Sequence, residues 1–172
     1  HDALAWLVQL YPRLPAGENP DGFVVKLRPL PARRVAYLRV FKPYGGPGAK
    51  ETIERMLAWA EAHGFAGGQW LGYQWDDPEI VPLDQCRYDI GVEVPEDANL
   101  GTEVSEQRFP PMTVAEVGMK GPIDLEMRLI DWMYRTWLPG SGSQSLSTSR
   151  RSASPPRSTP AETRTWLSGR AC

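Results

Sequence analysis

Leu30-Pro31-Ala32-Arg33-Arg34-Val35-Ala36-Tyr37 lines up without a gap against Phe109-Pro110-Pro111-Met112-Thr113-Val114-Ala115-Glu116. Both stretches read as the end of one strand, a proline-containing turn and the start of a second strand. Working outward, the signals around them agree in order. Phe23 to Arg28 is a strand ended by Pro29 and Pro31, and Arg34 to Phe41, rich in β-branched and aromatic residues, is its partner. The loop Lys42 to Gly48 leads to a helix from about Lys50 to His63, with Ile53, Met56, Leu57 and Ala60 at helical spacing and Gly64 as its stop. Gln69 to Trp75 and Tyr88 to Val94 follow as strands, separated by the turn signals Asp76-Asp77-Pro78 and Pro82.

The second copy starts likewise, with strands at Val104 to Phe109 and Met112 to Met119. Gly121-Pro122 then opens a helix whose apolar face holds Ile123, Met127, Ile130, Met133-Tyr134 and Trp137, and Pro139-Gly140 ends it. Met56-Leu57-Ala58-Trp59 in the first helix matches Leu129-Ile130-Asp131-Trp132 in the second. The fold class is therefore α+β, a duplicated β-β-α-β-β unit. Two further strands are due after the second helix. Residues 143–172 stand there instead, dominated by Ser, Arg, Pro and Thr, so the second repeat reads as incomplete and the tail as disordered. Residues 1–22 carry the short helical pattern Leu4, Leu7, Val8 and Leu10-Tyr11, broken by Pro12 and Pro15, and read as an interdomain helix and linker ahead of a domain at 23–142.

A chain of 172 residues suffices for one domain with a real core. A formal charge of −2 gives no general drive toward nucleic acid or anionic membrane, and the arginines of the tail read as an unselected basic segment. Cys86 and Cys172 read as two free thiols in a reducing cytoplasm. The start lacks a secretory signal, His1 in place of Met reads as a fragment boundary, and no run of about 18 apolar residues would span a bilayer. No cofactor is expected. The histidines are His1, at the terminus, and His63, at a helix end, so neither a Ser-His-Asp triad nor a His/Cys metal cluster can be assembled. Gly45-Gly46-Pro47-Gly48 lacks the Gly-Lys-Ser/Thr ending of a phosphate loop.

Trp70-Leu71-Gly72-Tyr73, Asp76-Asp77-Pro78, Gln85-Cys86-Arg87-Tyr88-Asp89 and Val92-Glu93-Val94-Pro95, together with Trp132-Met133-Tyr134 and Trp137-Leu138-Pro139-Gly140-Ser141-Gly142, resemble the GyrI-like small-molecule-binding domain, the effector-binding half of many AraC-type regulators. The resemblance covers residues 1–142. It implies two pseudo-twofold repeats with an antiparallel sheet in each half and a ligand cleft between them. It also implies a small-molecule partner, lipophilic and often cationic, with DNA reached through a helix-turn-helix domain lying outside this sequence. A homodimer is compatible with it, and a membrane role is not implied. Relatives that act alone on DNA gyrase or sequester drugs, and a few that hydrolyse strained rings, supply the alternatives. Relatives normally continue past the WLPGSG stretch with a strand carrying an acidic residue beside an aromatic, and Ser143 onward departs from this.

A sensor of apolar cations needs aromatic faces and a carboxylate. The candidates are Tyr37, Phe41, Trp70, Tyr73, Tyr88 and Trp132 for the aromatic lining and Glu116 for the charge, with Glu93 as a weaker acidic candidate. On the second strand Tyr37, Arg39 and Phe41 share one face while Ala36, Leu38 and Val40 share the other, so the small aliphatic face belongs to the core. Glu116 takes the place of Tyr37 in the second repeat. No residue is expected to be catalytic.

Overall fold

The computed structural model describes residues 15–41, 43, 48–76, 81–82, 84–121, 123–141, 146–152 and 163–169. Its strands are β1 (Lys26–Leu30), β2 (Arg33–Val40), β3 (Trp70–Gln74), β4 (Tyr88–Val94), β5 (Ser105–Phe109), β6 (Met112–Met119), β7 (Leu146–Ser152) and β8 (Thr163–Gly169). Helix α1 (Gly48–Ala62) joins β2 to β3. Helix α2 (Ile123–Trp132) runs through a π turn, Met133–Trp137, into the short α3 (Leu138–Ser141). In the π turn the N–H of Leu138 bonds to the carbonyl of Met133, five residues back. The next residue, Pro139, has no N–H to continue a four-residue ladder, which gives the widening a local cause. Helix α1 closes with Gly64 at φ +77°. The Phe65 N–H reaches the Ala60 carbonyl at 2.8 Å and the Gly64 N–H reaches that of Glu61 at 3.3 Å, the bonds of a glycine-terminated helix.

The strands form one antiparallel sheet in the order β1-β6-β8-β7-β3-β4-β2-β5. Read backwards, that order exchanges every strand with its counterpart in the other repeat. The register repeats too. Lys26 stands opposite Glu116 and Ser105 opposite Tyr37, which are equivalent positions in the gapless alignment. The first strand of each repeat thus pairs with the second strand of the other, and β3 joins β7 at the centre.

These exchanges bend the sheet. In the strand order β1 and β2 are six spacings apart, about 29 Å if the sheet were flat. Yet Leu30 ends β1 and Arg33 begins β2, a link that can stretch only about 11 Å. Phe109 and Met112 impose the same limit between β5 and β6. The sheet must therefore curl until its two ends meet at the Pro31 and Pro110-Pro111 links. Arg33 and Met112, equivalent residues of the two repeats, touch there, with Nη2 donating to Sδ at 3.7 Å.

Two cores lie on the helical side of the curled sheet. One gathers Ala36, Val40, Ile90 and Val92 with Met56, Trp59 and Ala60 of α1, and the other gathers Ala115, Val117 and Met119 with Leu129, Trp132 and Met133. Met56 and Leu129, matched in the alignment, are both fully buried. On the inner side of the curl Leu30, Val35, Leu71, Tyr73 and Val114 are also buried, with Tyr37, Trp75, Phe109 and Met112 packed against them. Among the described residues this inner cluster contains no helical residue; the curling of the sheet brings its members together.

Three expectations change. The stretch expected to be a disordered tail supplies β7 and β8, so the second repeat is complete. Composition misled here because the facing edges of β3 and β6 offer backbone donors and acceptors, and a strand can satisfy them with few apolar side chains. The halves share one continuous sheet, since β7 pairs with β3. The second helical segment continues past Pro139-Gly140 to Ser141. The expected helix within residues 1–22 lies outside the described residues up to position 14; Pro15 to Gly22 form turns, with Phe23 packed on Trp132 at 5.5 Å.

The inner face of the curled sheet as candidate ligand site

Alternation along β2 turns Arg33, Val35, Tyr37 and Arg39 to the inner face. The pairing then brings Tyr73 and Asp89 to the same side, because Arg39 stands opposite Asp89 and Asp89 opposite Tyr73. Tyr73 stacks on Phe109 at 4.9 Å and on Trp75 at 5.8 Å, with interplanar angles of 19° and 26°. Three rings from β5, β3 and the residue after β3 thus form one aromatic slab. Arg33 caps its Phe109 end, 5.3 Å from the ring centroid.

Three ion pairs share this face. The carboxylate of Asp89, 2% exposed, accepts from Arg39 Nε at 2.8 Å and Nη2 at 3.0 Å and from the Trp75 indole N–H at 2.6 Å. Donating to the Asp89 carboxylate holds the Arg39 guanidinium above its ordinary range. Arg33 lies 3.6 Å from Glu93. Glu116, 6% exposed, accepts from Arg28 Nη1 at 3.1 and 3.0 Å. Beyond the slab, Asp76 accepts from the backbone N–H and side chain of Arg87 at the β3–β4 connection, and that hydrogen bonding holds its carboxyl below the usual range.

Of the seven candidates, Tyr37 and Tyr73 belong to the inner cluster, and Glu116 projects to the same face from β6, two residues beyond Val114. The other four do not. Trp70 is buried in the α1-side core, its indole donating to the Ala66 carbonyl at 2.9 Å. Tyr88 packs against that core, its ring occupying the space that a Cβ on Gly72 would need. Trp132 belongs to the α2-side core. Phe41 projects outward, 77% exposed. Alternation puts Trp70 and Tyr73 on opposite faces but does not say which face is inner, because every residue from Trp70 to Tyr73 is buried. Sequence reasoning missed Phe109, Trp75, Arg28 and Asp89. Phe109 was legible as the residue equivalent to Leu30; the other three needed the pairing register.

Among the described residues no three His, Cys, Asp or Glu side chains gather to hold a metal ion. Among the same residues no helix is long and apolar enough to cross a membrane. Cys86 is buried and unbridged.

A helix-backed sheet curled around an aromatic slab, with a buried carboxylate on the same face, is the architecture that the family comparison recognises. The chain belongs to the GyrI-like small-molecule-binding domain family, whose model matches residues 24–167 and so takes in β7 and most of β8. It is 31% identical over 124 residues to a DNA gyrase inhibitor of Serratia proteamaculans (strain 568), covering 70% of this chain and 79% of that protein. It is 42% identical over 77 residues to YosT of Bacillus subtilis (strain 168), described as a prophage-derived transcriptional regulator, covering 44% of this chain and 52% of that one. The chain thus spans about half of the Bacillus relative. Among solved structures, the EcmrR C-terminal domain superimposes with a TM-score of 0.56 at 14% identity, covering 88% of this chain and 99% of that one. SAV2435, solved bound to tetraphenylphosphonium, gives 0.55 at 11% identity, covering 86% and 94%. At such identities these two establish the fold alone.

Proposed function

We propose that this chain is the effector-binding part of an AraC-type transcription regulator. It binds a lipophilic cation non-covalently on the inner face of the curled sheet and passes occupancy to a DNA-binding domain outside this sequence. The observation that carries the reading is Glu116, a carboxylate almost wholly withdrawn from water, on the same face as the Phe109–Tyr73–Trp75 slab. Tyr37 lies on that face at the equivalent position of the first repeat. Aromatic faces attract a cation bearing apolar groups, and a desolvated carboxylate selects its charge. Occupancy without turnover is the behaviour expected of such a site.

Titrating tetraphenylphosphonium into the chain tests this by calorimetry and by thermal unfolding. A ligand of the native state raises the midpoint with concentration. Saturable binding, weakened about tenfold or more in Glu116→Gln, supports the reading. Binding equally tight in that variant, or none at all, overturns it. An intact helix-turn-helix pair in the upstream coding sequence would fix the AraC assignment.

The match over most of the Serratia gyrase inhibitor favours a second reading, a stand-alone protein acting on DNA gyrase. A supercoiling assay separates the two: inhibition of purified gyrase by the chain supports the second and leaves the first without its output.

A further inference from the structure

The carboxylate that would meet the ligand is already occupied by a cation from the chain itself. Arg28 reaches Glu116 with one nitrogen, Nη1, which lies 3.0 and 3.1 Å from the two carboxylate oxygens. The pair is lopsided: the Glu116 side chain is 8% exposed and that of Arg28 45%. Arg39 grips Asp89 differently, with a two-nitrogen fork onto an oxygen pair that also holds the Trp75 indole. Arg28 also sits on β1, an end strand of the sheet, which among the described residues pairs with β6 alone. A side chain that is nearly half in water, held by one nitrogen and rooted on an edge can leave its partner without disturbing a core.

The equivalent strand pair, β5 with β2, offers an internal comparison. There Tyr37 occupies the position of Glu116 and Gln107 that of Arg28, so the same scaffold site is built without charge. The cation and the carboxylate occur together across the β1–β6 pair and are absent together from the β5–β2 pair. Strand pairing does not require an arginine at this place, since β5 pairs with β2 with a neutral residue there.

We propose that Arg28 is the specificity-determining residue of this site: its guanidinium is a resident competitor that a cationic ligand must displace from Glu116. The proposal rests on the ligand reading given above and adds to it a selection rule. Only a cation that also covers the aromatic slab can replace Arg28, because charge alone would exchange one ion pair for another. Small hydrophilic cations gain nothing from the slab and leave the pair closed. A large lipophilic cation gains both contacts and releases Arg28 to water.

The test is calorimetric titration of tetraphenylphosphonium into the full chain and into Arg28→Gln, Lys26→Gln and the double variant Arg28→Gln/Glu116→Gln. Lys26 stands directly opposite Glu116 in the register, so its loss removes a nearby positive charge without removing the contact. Arg28→Gln should bind about tenfold more tightly than the parent, the scale of one charge-assisted contact no longer competing. Lys26→Gln should stay within about twofold, and the double variant should lose the gain. Arg28→Met, which keeps the apolar stem, gives the same readout should the glutamine variant fail to fold. Parent binding that is unchanged or weakened by loss of Arg28 overturns the competitor role while leaving the ligand reading standing. An equal gain in Lys26→Gln reduces the effect to general field and overturns it as well. No binding by any variant removes the ligand reading and this inference together.

Discussion

Replacing Asp89 by asparagine tests whether the inner face is held by the network described. The carboxylate is 2% exposed and accepts three hydrogen bonds, two from Arg39 and one from the Trp75 indole. Asparagine can keep the indole on its carbonyl oxygen. Its amide nitrogen is a donor, however, and would face the donors of the guanidinium, so the fork is lost. Breaking a fully buried charge pair costs about 3–5 kcal/mol. The Arg39 side chain is 39% exposed and recovers much of its hydration, which reduces that share to about 1 kcal/mol. Opposed donors in a nearly dry place add about 1 kcal/mol. The expected loss is about 2 kcal/mol, or a fall of about 4–8 °C in the unfolding midpoint for a domain of this size. Asp89→Ala, which strips the indole as well, should lose about 3 kcal/mol. Urea unfolding followed by far-ultraviolet circular dichroism reads the stability. A double-mutant cycle with Trp75→Phe reads the indole bond, with a coupling of about 1 kcal/mol expected. An Asp89→Asn variant within about 0.5 kcal/mol of the parent would refute the argument, because a buried carboxylate with three donors cannot lose its charge at so small a cost.

Gly91 stands between Tyr37 and Leu71 in the pairing, and a Cβ there would lie 2.7 Å from the Ala36 carbonyl oxygen and 2.7 Å from a Val35 methyl. One of these is backbone and cannot yield, so Gly91→Ala should cost about 1–3 kcal/mol, read as a lowered thermal midpoint. Acid should also destabilise the protein. Hydrogen bonds from Arg87 and Arg34 hold Asp76 and Glu106 below their ordinary values of 3.8 and 4.5. Their contribution is complete above those values and is lost as pH falls through the lower folded ones. Thermal midpoints measured downward from pH ~5 should decline, and less steeply in Asp76→Asn; equal slopes would count against the Arg87 contact.

Much of the scaffold was legible because duplication left the same punctuation twice. The alignment of Leu30–Tyr37 with Phe109–Glu116 anticipates β2 and β6 and the correspondence of Met56 with Leu129, and alternation along β2 separates Ala36 and Val40 from Tyr37. Local pattern does not carry partnership. Nothing in Lys26–Leu30 says that it pairs with the far repeat, yet that exchange curls the sheet and brings Arg28 to Glu116. Trp70 and Tyr88 were misplaced for a related reason: in strands buried on both sides, an aromatic residue has the same sequence signature on either face. The β7 strand was missed because its sequence, LSTSRRS, carries a single aliphatic residue. Its backbone pairs with that of β3.

The symmetry of the scaffold makes its asymmetric lining informative. Apolar residues at equivalent positions match in kind: Val35 with Val114, Met56 with Leu129. At two further positions of the inner face they diverge, Tyr37 against Glu116 and Gln107 against Arg28. On the ligand reading proposed above, one charge and one ring at equivalent positions suit a ligand with a single positive centre and aromatic flanks, and Arg28 holds the charge until such a ligand arrives.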